Sequence, residues 1–269
     1  DLTTENIYQP AAFSHKDEDA SAGYYSVVLK EEGIKAELTA TAHAGIHRYT
    51  FPSGKEASII IDLAHLLDNE YIYEAELEQT AANEITGMRR TRGWTDNQYV
   101  YFVAQFSKPF QAIDFIQNKK MVSAGVKLIG TDLQACLSFD NSNGEPVIAK
   151  VGLSIVSEKN ARENLEAEVI GFDFDAVRSA ARSAWEQALS AITVEGSNTD
   201  DLKNFYTAMY HSMVVPNAVS DVNGEYRRHN MEIGQLPKGK VQYSTFSLWD
   251  TFRAWNPLMT LIDTTLVNN

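Results

Sequence analysis

The run "SLWDTFRAW" (Ser247–Trp255) places one carboxylate, Asp250, and one guanidinium, Arg253, among three large aromatics, Trp249, Phe252 and Trp255. A carboxylate accepts paired hydrogen bonds from vicinal hydroxyls, and a ring such as Trp249 packs on the apolar face of a pyranose. A few placed polar groups against apolar walls hold a neutral polyol in this way. The same residues have a plainer reading. Ser247 and Asp250 are spaced as a Ser-x-x-Asp capping box, and Arg253, about one turn on, pairs with Asp250. The two readings are compatible. Glycoside hydrolysis needs two carboxylates flanking the scissile bond. The chain carries 36 acids, so spacing alone selects no pair, but Asp250 is the acid set among aromatics at a helix start.

The other reactive side chains form no recognisable catalytic motif. Six histidines are present without an HExxH pair. His43 and His47 are four apart, but "TATAHAGIHRYTF" reads as strand–turn–strand, the wrong context for a helical metal pair. "FSHKDEDASAGYY" (Phe13–Tyr25) reads as a solvated charged loop before the first clear strand. Gly-x-Ser-x-Gly elbows, P-loops and GxGxxG fingerprints are absent. "DVNGEY" opens like a calcium loop but lacks the later Asp and the closing Glu, which excludes an EF-hand. Cys136 is the single cysteine, so no intrachain disulfide or cysteine-rich metal site exists. It lies in the alternating run "DLQACLSF" and is expected to be a buried strand residue.

The elements that must position Asp250 change character along the chain. Up to about residue 156 the pattern is β: "GYYSVVL", "IKAELTAT", "HRYTF", "ASIIIDL", "YIYEAELEQT", "QYVYFVAQF", "FQAIDFI", "GVKLIGTDLQACLSF" and "VIAKVGLSIV". "QYVYFVAQF" is continuously apolar, as a strand covered on both faces is. "DNSNGEP" is the clearest hairpin or loop signal. Strands at close spacing without intervening helices predict an antiparallel sandwich. "SEKNARENLEAEVIG" fits a short polar helix. "DFDAVRSAARSAWEQALSAITVEG" fits a strong one, capped by Asp173 or Asp175, with a stripe through Val177, Ala180, Ala181, Ala184, Trp185 and Leu189. "NTDDLKNFYTAMYHSMVVP" follows, with Thr199 as N-cap and Pro216 as stop. A long polar insertion leads to a third helix over Tyr243–Ile262. The expected units are a sandwich over 1–172, a linker helix over 173–198, and the first helices of an α domain over 199–269.

With 269 residues and 44% hydrophobic content, the chain can build a sizeable core. Its formal charge of −13 argues against nucleic acid and anionic membrane as partners, since both need a basic face. No apolar run approaches the roughly 20 residues of a membrane span. "DLTTENIYQP" lacks Met and a charged-then-apolar leader, so both ends are expected to be internal to a longer protein.

Six blocks together resemble glycoside hydrolase family 92, the calcium-dependent exo-acting α-mannosidases. They are "FSHKDEDASAGYYSVVL", "IKAELTATAHAGIHRYTFP", "YVYFVAQFSKPF", "AKVGLSIVSEKNARENLEAE", "FYTAMYHSMVVP" and "YSTFSLWDTFRAWNPLMTLI", in the family's order and covering nearly the whole chain. The "EYRRHNMEIG" run departs from the family's usual YRG followed by Asp, so no role is carried to that loop. The resemblance implies a sandwich, a helical linker and the beginning of an (α/α)6 barrel. It implies inverting hydrolysis of terminal α-mannosides in mannose-rich glycans, with calcium helping to distort the ring. It also implies a periplasmic or extracellular location. The family's catalytic acid, base and calcium ligands are expected beyond Asn269, so further polypeptide is needed to complete the barrel. The "SLWD" match carries Asp250 over as a sugar-contacting acid, with Trp249 as wall and Arg253 as orienting partner. The alternative is a non-catalytic carbohydrate-binding or scaffold module, and two carboxylates in later barrel loops discriminate the enzyme from it.

Overall fold

The computed structural model describes residues 11–67, 70–93, 95–122, 127–244 and 247–269. Asp1–Pro10, Gly125 and Val126 of an expected strand, and Thr245 and Phe246 of the expected third helix lie outside them. Strands run in the order β1 (Glu18–Ser21), β2 (Tyr24–Leu29), β3 (Ile34–Ala40), β4 (Ala44–Thr50), β5 (Ala57–Asp62), β6 (Tyr71–Ala81), β7 (Glu84–Arg92), β8 (Gln98–Phe106), β9 (Ala112–Gln117), β10 (Lys120–Val122), β11 (Leu128–Gly130), β12 (Leu133–Phe139) and β13 (Val147–Ser154). Helices α1 (Glu158–Glu168), α2 (Phe174–Leu189) and α3 (Thr199–Met213) follow. After them come the short strands β14 (Glu225–Arg227) and β15 (Ile233–Gln235), then α4 (Leu248–Thr251), α5 (Trp255–Ile262) and α6 (Thr264–Asn268).

The strands form the expected antiparallel sandwich. A nine-stranded sheet in the order β1-β2-β3-β4-β13-β8-β7-β6-β11 faces a four-stranded sheet in the order β10-β9-β12-β5. Alternate side chains from both sheets meet in one core that includes Leu77, Ile85, Phe106, Phe115, Leu133 and Leu137. Each large apolar side chain buried there contributes about 1.5–3 kcal/mol. β8 is covered on both faces: Phe102 enters this core, while Val103 points to a second core under the helices. Cys136 is buried in β12.

β7 was not legible in the sequence, although it lies inside the large sheet. Its run "EITGMRRTR" carries the adjacent Arg89 and Arg90, which fall on opposite faces, and a glycine near its middle. Gly87 is there because a Cβ would stand 2.4 Å from the Glu76 carbonyl and 2.6 Å from the Phe102 ring. "DNSNGEP" joins β12 to β13, which lie in different sheets, so it is a sheet-crossing loop and not a hairpin. The charged "FSHKDEDASAGYY" segment is only partly loop. A 3-10 turn at His15–Asp17 leads into edge strand β1, which pairs with β2.

Helix α1 closes on the outer face of β13 because Gly152 has no side chain. A Cβ there would meet the Ala161 carbonyl at 2.3 Å. Arg162 of α1 reaches Glu84 of β7 through two hydrogen bonds of 2.7 and 2.8 Å. In α2, Phe174 and Val177 are buried against the sheet, Ala181 and Trp185 lie against Gly23 and Trp185 packs on Tyr210 of α3, while Ala180 and Ala184 of the expected stripe are exposed. Asp173 is the α2 N-cap, and for α3 the cap is Asn198 rather than Thr199.

The expected third helix over Tyr243–Ile262 is not continuous. Tyr243 bridges to Ala218 in extended backbone, and the helical part divides into α4 and α5. Pro257 explains the division. Inside a continuous helix its ring would clash with the carbonyl four residues back, whereas in the first turn of α5 no N–H is required of it.

Candidate functional site

Asp250 occupies the exposed turn α4. Ser247 is its N-cap residue, but no side-chain cap bond forms. The Asp250 N–H donates instead to the Ser247 carbonyl at 3.2 Å. The Asp250 carboxylate has no hydrogen bond or ion pair among the described residues, and neither the capping box nor the Asp250–Arg253 pair is made. Arg253 lies over the Phe252 ring, 5.4 Å from its centroid. Trp249 is 85% exposed and Phe252 53%. The structure thus places Trp249 and Asp250 on one exposed turn and Arg253 just past its C-cap, with no hydrogen bond or ion pair among the three side chains. Trp255, the third aromatic, turns inward and donates its indole N–H to the Ser212 carbonyl of α3 at 2.6 Å.

What holds this turn in place was missed by sequence reasoning. The polar connection between α3 and α4 does not wave in solvent but is clamped to the sandwich. Asp221 is 5% exposed. Its carboxylate accepts from Ser154 Oγ (2.7 Å), Asn160 Nδ2 (2.8 Å) and Asn164 Nδ2 (2.7 Å). Asn164 Oδ1 in turn accepts from the Val222 N–H at 2.9 Å. Arg227 donates to the carbonyls of Ile155 and Val156 at 2.7 and 3.0 Å and stacks over Tyr99 at 4.5 Å. At the base, Gln242 N–H donates to Ser220 Oγ and Ser244 N–H to the Asn217 carbonyl. The sequence did hold a clue. Asn160 and Asn164 are four apart, on one face of a short helix, and an amide pair at that spacing needs a polar partner.

A second clasp lies beside the first. His43 Nδ1 meets Glu168 Oε1 at 2.5 Å, and Nε2 meets the Ser220 carbonyl at 2.8 Å. Glu168 also accepts from the His43 N–H at 2.9 Å and from the Thr41 hydroxyl. Burial pushes His43 down, but the Glu168 carboxylate and the Ser220 carbonyl together lift its pKa above the ordinary value. Burial pushes Glu168 up, and the bonds from His43 and Thr41 bring it below the usual carboxylate range. His47 instead bonds Tyr49 at 2.8 Å, so the two histidines serve different partners.

Among the described residues no three or more His, Cys, Asp or Glu side chains converge as a metal site. The calcium ion implied by the resemblance thus has no cluster of carboxylates to hold it among the described residues. Nor is any described helix long and apolar enough to cross a membrane.

The geometry has close counterparts. The structure superposes on a family GH92 α-mannosidase from Bacteroides thetaiotaomicron, solved with mannoimidazole. The TM-score is 0.88 at 33% identity, covering 96% of this chain and 35% of that one. A second solved GH92 family glycosyl hydrolase gives a TM-score of 0.87 at 26% identity, covering 96% and 36%. An uncharacterized secreted glycosidase from Arthroderma benhamiae is 29% identical over 264 residues, 88% of this chain and 33% of its own length. The chain thus spans about a third of the length of these relatives. The glycosyl hydrolase family 92 catalytic-domain model matches residues 160–269. Since the N-terminal-domain model of the same family also matches residues 2–154, more than half of the chain, this protein belongs to glycosyl hydrolase family 92.

Proposed function

We propose that this chain is part of an α-mannosidase that removes terminal α-linked mannose from mannose-rich glycans with inversion. The observation that carries the reading is that Asp250 has no side-chain partner among the described residues and its sequence neighbour Trp249 is exposed, inside the segment matched by the family's catalytic domain. Asp250 accepts hydrogen bonds from two sugar hydroxyls, Trp249 walls the ring, and Arg253 orients the pair. The catalytic acid, which protonates the leaving oxygen, and the base, which activates water, belong to the longer protein. So do the ligands of a calcium ion, whose chemistry is charge stabilisation at sugar hydroxyls. The working units are the sandwich over 1–172, the linker helix over 173–198 and the first helices of an (α/α)6 barrel over 199–269. The secreted relative supports a periplasmic or extracellular location. The test is Asp250→Asn in the full-length protein, assayed on an aryl α-mannoside. A large fall in kcat/KM at unchanged thermal stability supports the role, and normal turnover overturns it.

A further inference from the structure

A cleft of about 430 Å³ opens at the end of the sandwich, between the two sheets and away from every helix. Its walls include Tyr71 and Ile72 at the start of β6, Lys119 in the β9–β10 turn, Thr131 and Asp132 before β12, and Gln134 in β12. The volume lies in the range of small-molecule sites, which pair apolar walls with a few convergent polar groups.

Two observations suggest that this is more than a gap between strands. The first is the turn that carries Lys119. β9 and β10 are joined by two residues, Asn118 and Lys119, with Gln117 paired to Lys120. Both have positive φ, 52° and 61°, as a type I′ hairpin turn requires. Glycine is the relaxed residue at the second of these positions, and a lysine there sits in the left-handed region at a cost. The strained position sets Lys119 in the wall of the cleft. The Asn118 N–H also bonds the Asp132 carbonyl at 3.0 Å, which ties this turn to the one carrying Asp132.

The second observation is that the aromatic wall is set in advance. Tyr71 is 59% exposed, and its ring meets Tyr73 edge to face at 5.2 Å. Tyr73 is held by Arg90, 4.9 Å from its ring centroid, and Arg90 also lies 5.4 Å from the Tyr99 ring. A ring braced by such a stack loses little freedom when something packs on it.

The lining selects a ligand class. Lys119 and Asp132 bring opposite charges, which together favour a neutral ligand, and the chain's −13 disfavours an anion. Ammonium, carboxylate, hydroxyl and amide beside a braced ring are complementary to the hydroxyls and apolar face of a sugar.

We propose that this cleft is an accessory, non-catalytic glycan site that takes one neutral pyranose unit, with Tyr71 as platform and Lys119 and Asp132 bonding its hydroxyls. The choice of mannose as the sugar rests on the function proposed above, while the site itself does not.

The experiment uses the full-length protein and mannan polysaccharide in affinity electrophoresis, with aryl α-mannoside turnover and Tm measured in parallel. Lys119→Gly removes the ammonium and relieves the turn. Retardation by mannan should weaken about fivefold or more, with Tm unchanged or raised and aryl-mannoside turnover unchanged. Tyr71→Ala should weaken retardation by a similar factor. Wild-type retardation in both variants, or no retardation of the parent protein, overturns the site. Tyr71-dependent retardation in a protein that does not cleave the aryl mannoside overturns the proposed activity and leaves this inference standing.

Discussion

Asp250 has two separable properties, and they give opposite signatures on substitution. Its carboxylate caps nothing and pairs with nothing among the described residues. Asp250→Asn therefore removes no internal contact, and the melting temperature should barely move. If the carboxylate holds sugar hydroxyls, the lost charged hydrogen bonds should lower kcat/KM by about 2–4 kcal/mol in transition-state binding. Steady-state kinetics and a thermal melt on that single variant check both expectations. His43 behaves in the opposite way, since its value lies entirely in its contacts. Its folded pKa is raised by Glu168 and the Ser220 carbonyl, with the Asp221 charge nearby adding to the lift. Its contribution is fully present below about pH 6.5 and is lost as pH rises through the higher folded value. Glu168 is shifted down, so its share is lost only when acid protonates it. Comparing unfolding midpoints of wild type and His43→Gln from about pH 6 to about pH 9 should show a gap that narrows as pH rises. A pH-independent gap would mean that the clasp forms with a neutral imidazole.

At the scale of elements, the outer face of the large sheet is held to its helices by two arginine–glutamate pairs. Arg162 on α1 grips Glu84 on β7. Arg48 on β4 grips Glu37 on β3, reaches Asp175 at the start of α2, and stacks on Phe174 at 4.4 Å. The guanidinium in each pair holds its glutamate at a pKa of about 2, despite burial pushing the other way. Both groups are depressed, so their stabilisation is complete above the ordinary glutamate value of 4.5 and fades as pH falls toward about 2. Arg162→Ala leaves Glu84 buried without its cation and should cost about 1–3 kcal/mol, discounted for the partial exposure of the arginine. Chemical denaturation at neutral pH measures this, and the acid limb of the variant should flatten. These elements were unequally legible. Strands such as β2, β3 and β6 announced themselves by alternation or apolar runs, and β8, covered on both faces, by a continuous apolar run. β7 did not, because Arg89, Arg90 and Arg92 break its apolar alternation and its glycine serves a close backbone approach. The single helix expected across Tyr243–Ile262 failed on Pro257, whose effect depends on where in a helix it falls. For the candidate site, Trp249, Asp250 and Arg253 were singled out by residue type. Asp221 was not, since its partners lie 57 to 67 residues away and no local pattern encodes that distance.

For the molecule as a whole, the proposed function would make the sandwich and the first helices one wall of an active site whose other parts would belong to the longer protein. The 269-residue chain alone should not turn over an aryl α-mannoside, with or without calcium. In the full-length protein a chelator should abolish turnover and added calcium restore it. Turnover by the short chain would show that the acid and base lie within it. Exposed apolar side chains such as Leu248, Phe252 and Leu261 mark surface that the rest of the helical domain is expected to cover. The clamp on the connection between α3 and α4 has one more consequence, for the order in which the protein is made. Its anchors are His43, Ser154, Ile155, Val156, Asn160, Asn164 and Glu168, and every one precedes Asp221 in sequence. A chain leaving the ribosome N-terminus first has therefore synthesised the whole receiving surface before the segment that docks on it appears. Each later helix is then added to a finished template, and Asp250 is delivered to its place by a seam that closes in the direction of synthesis.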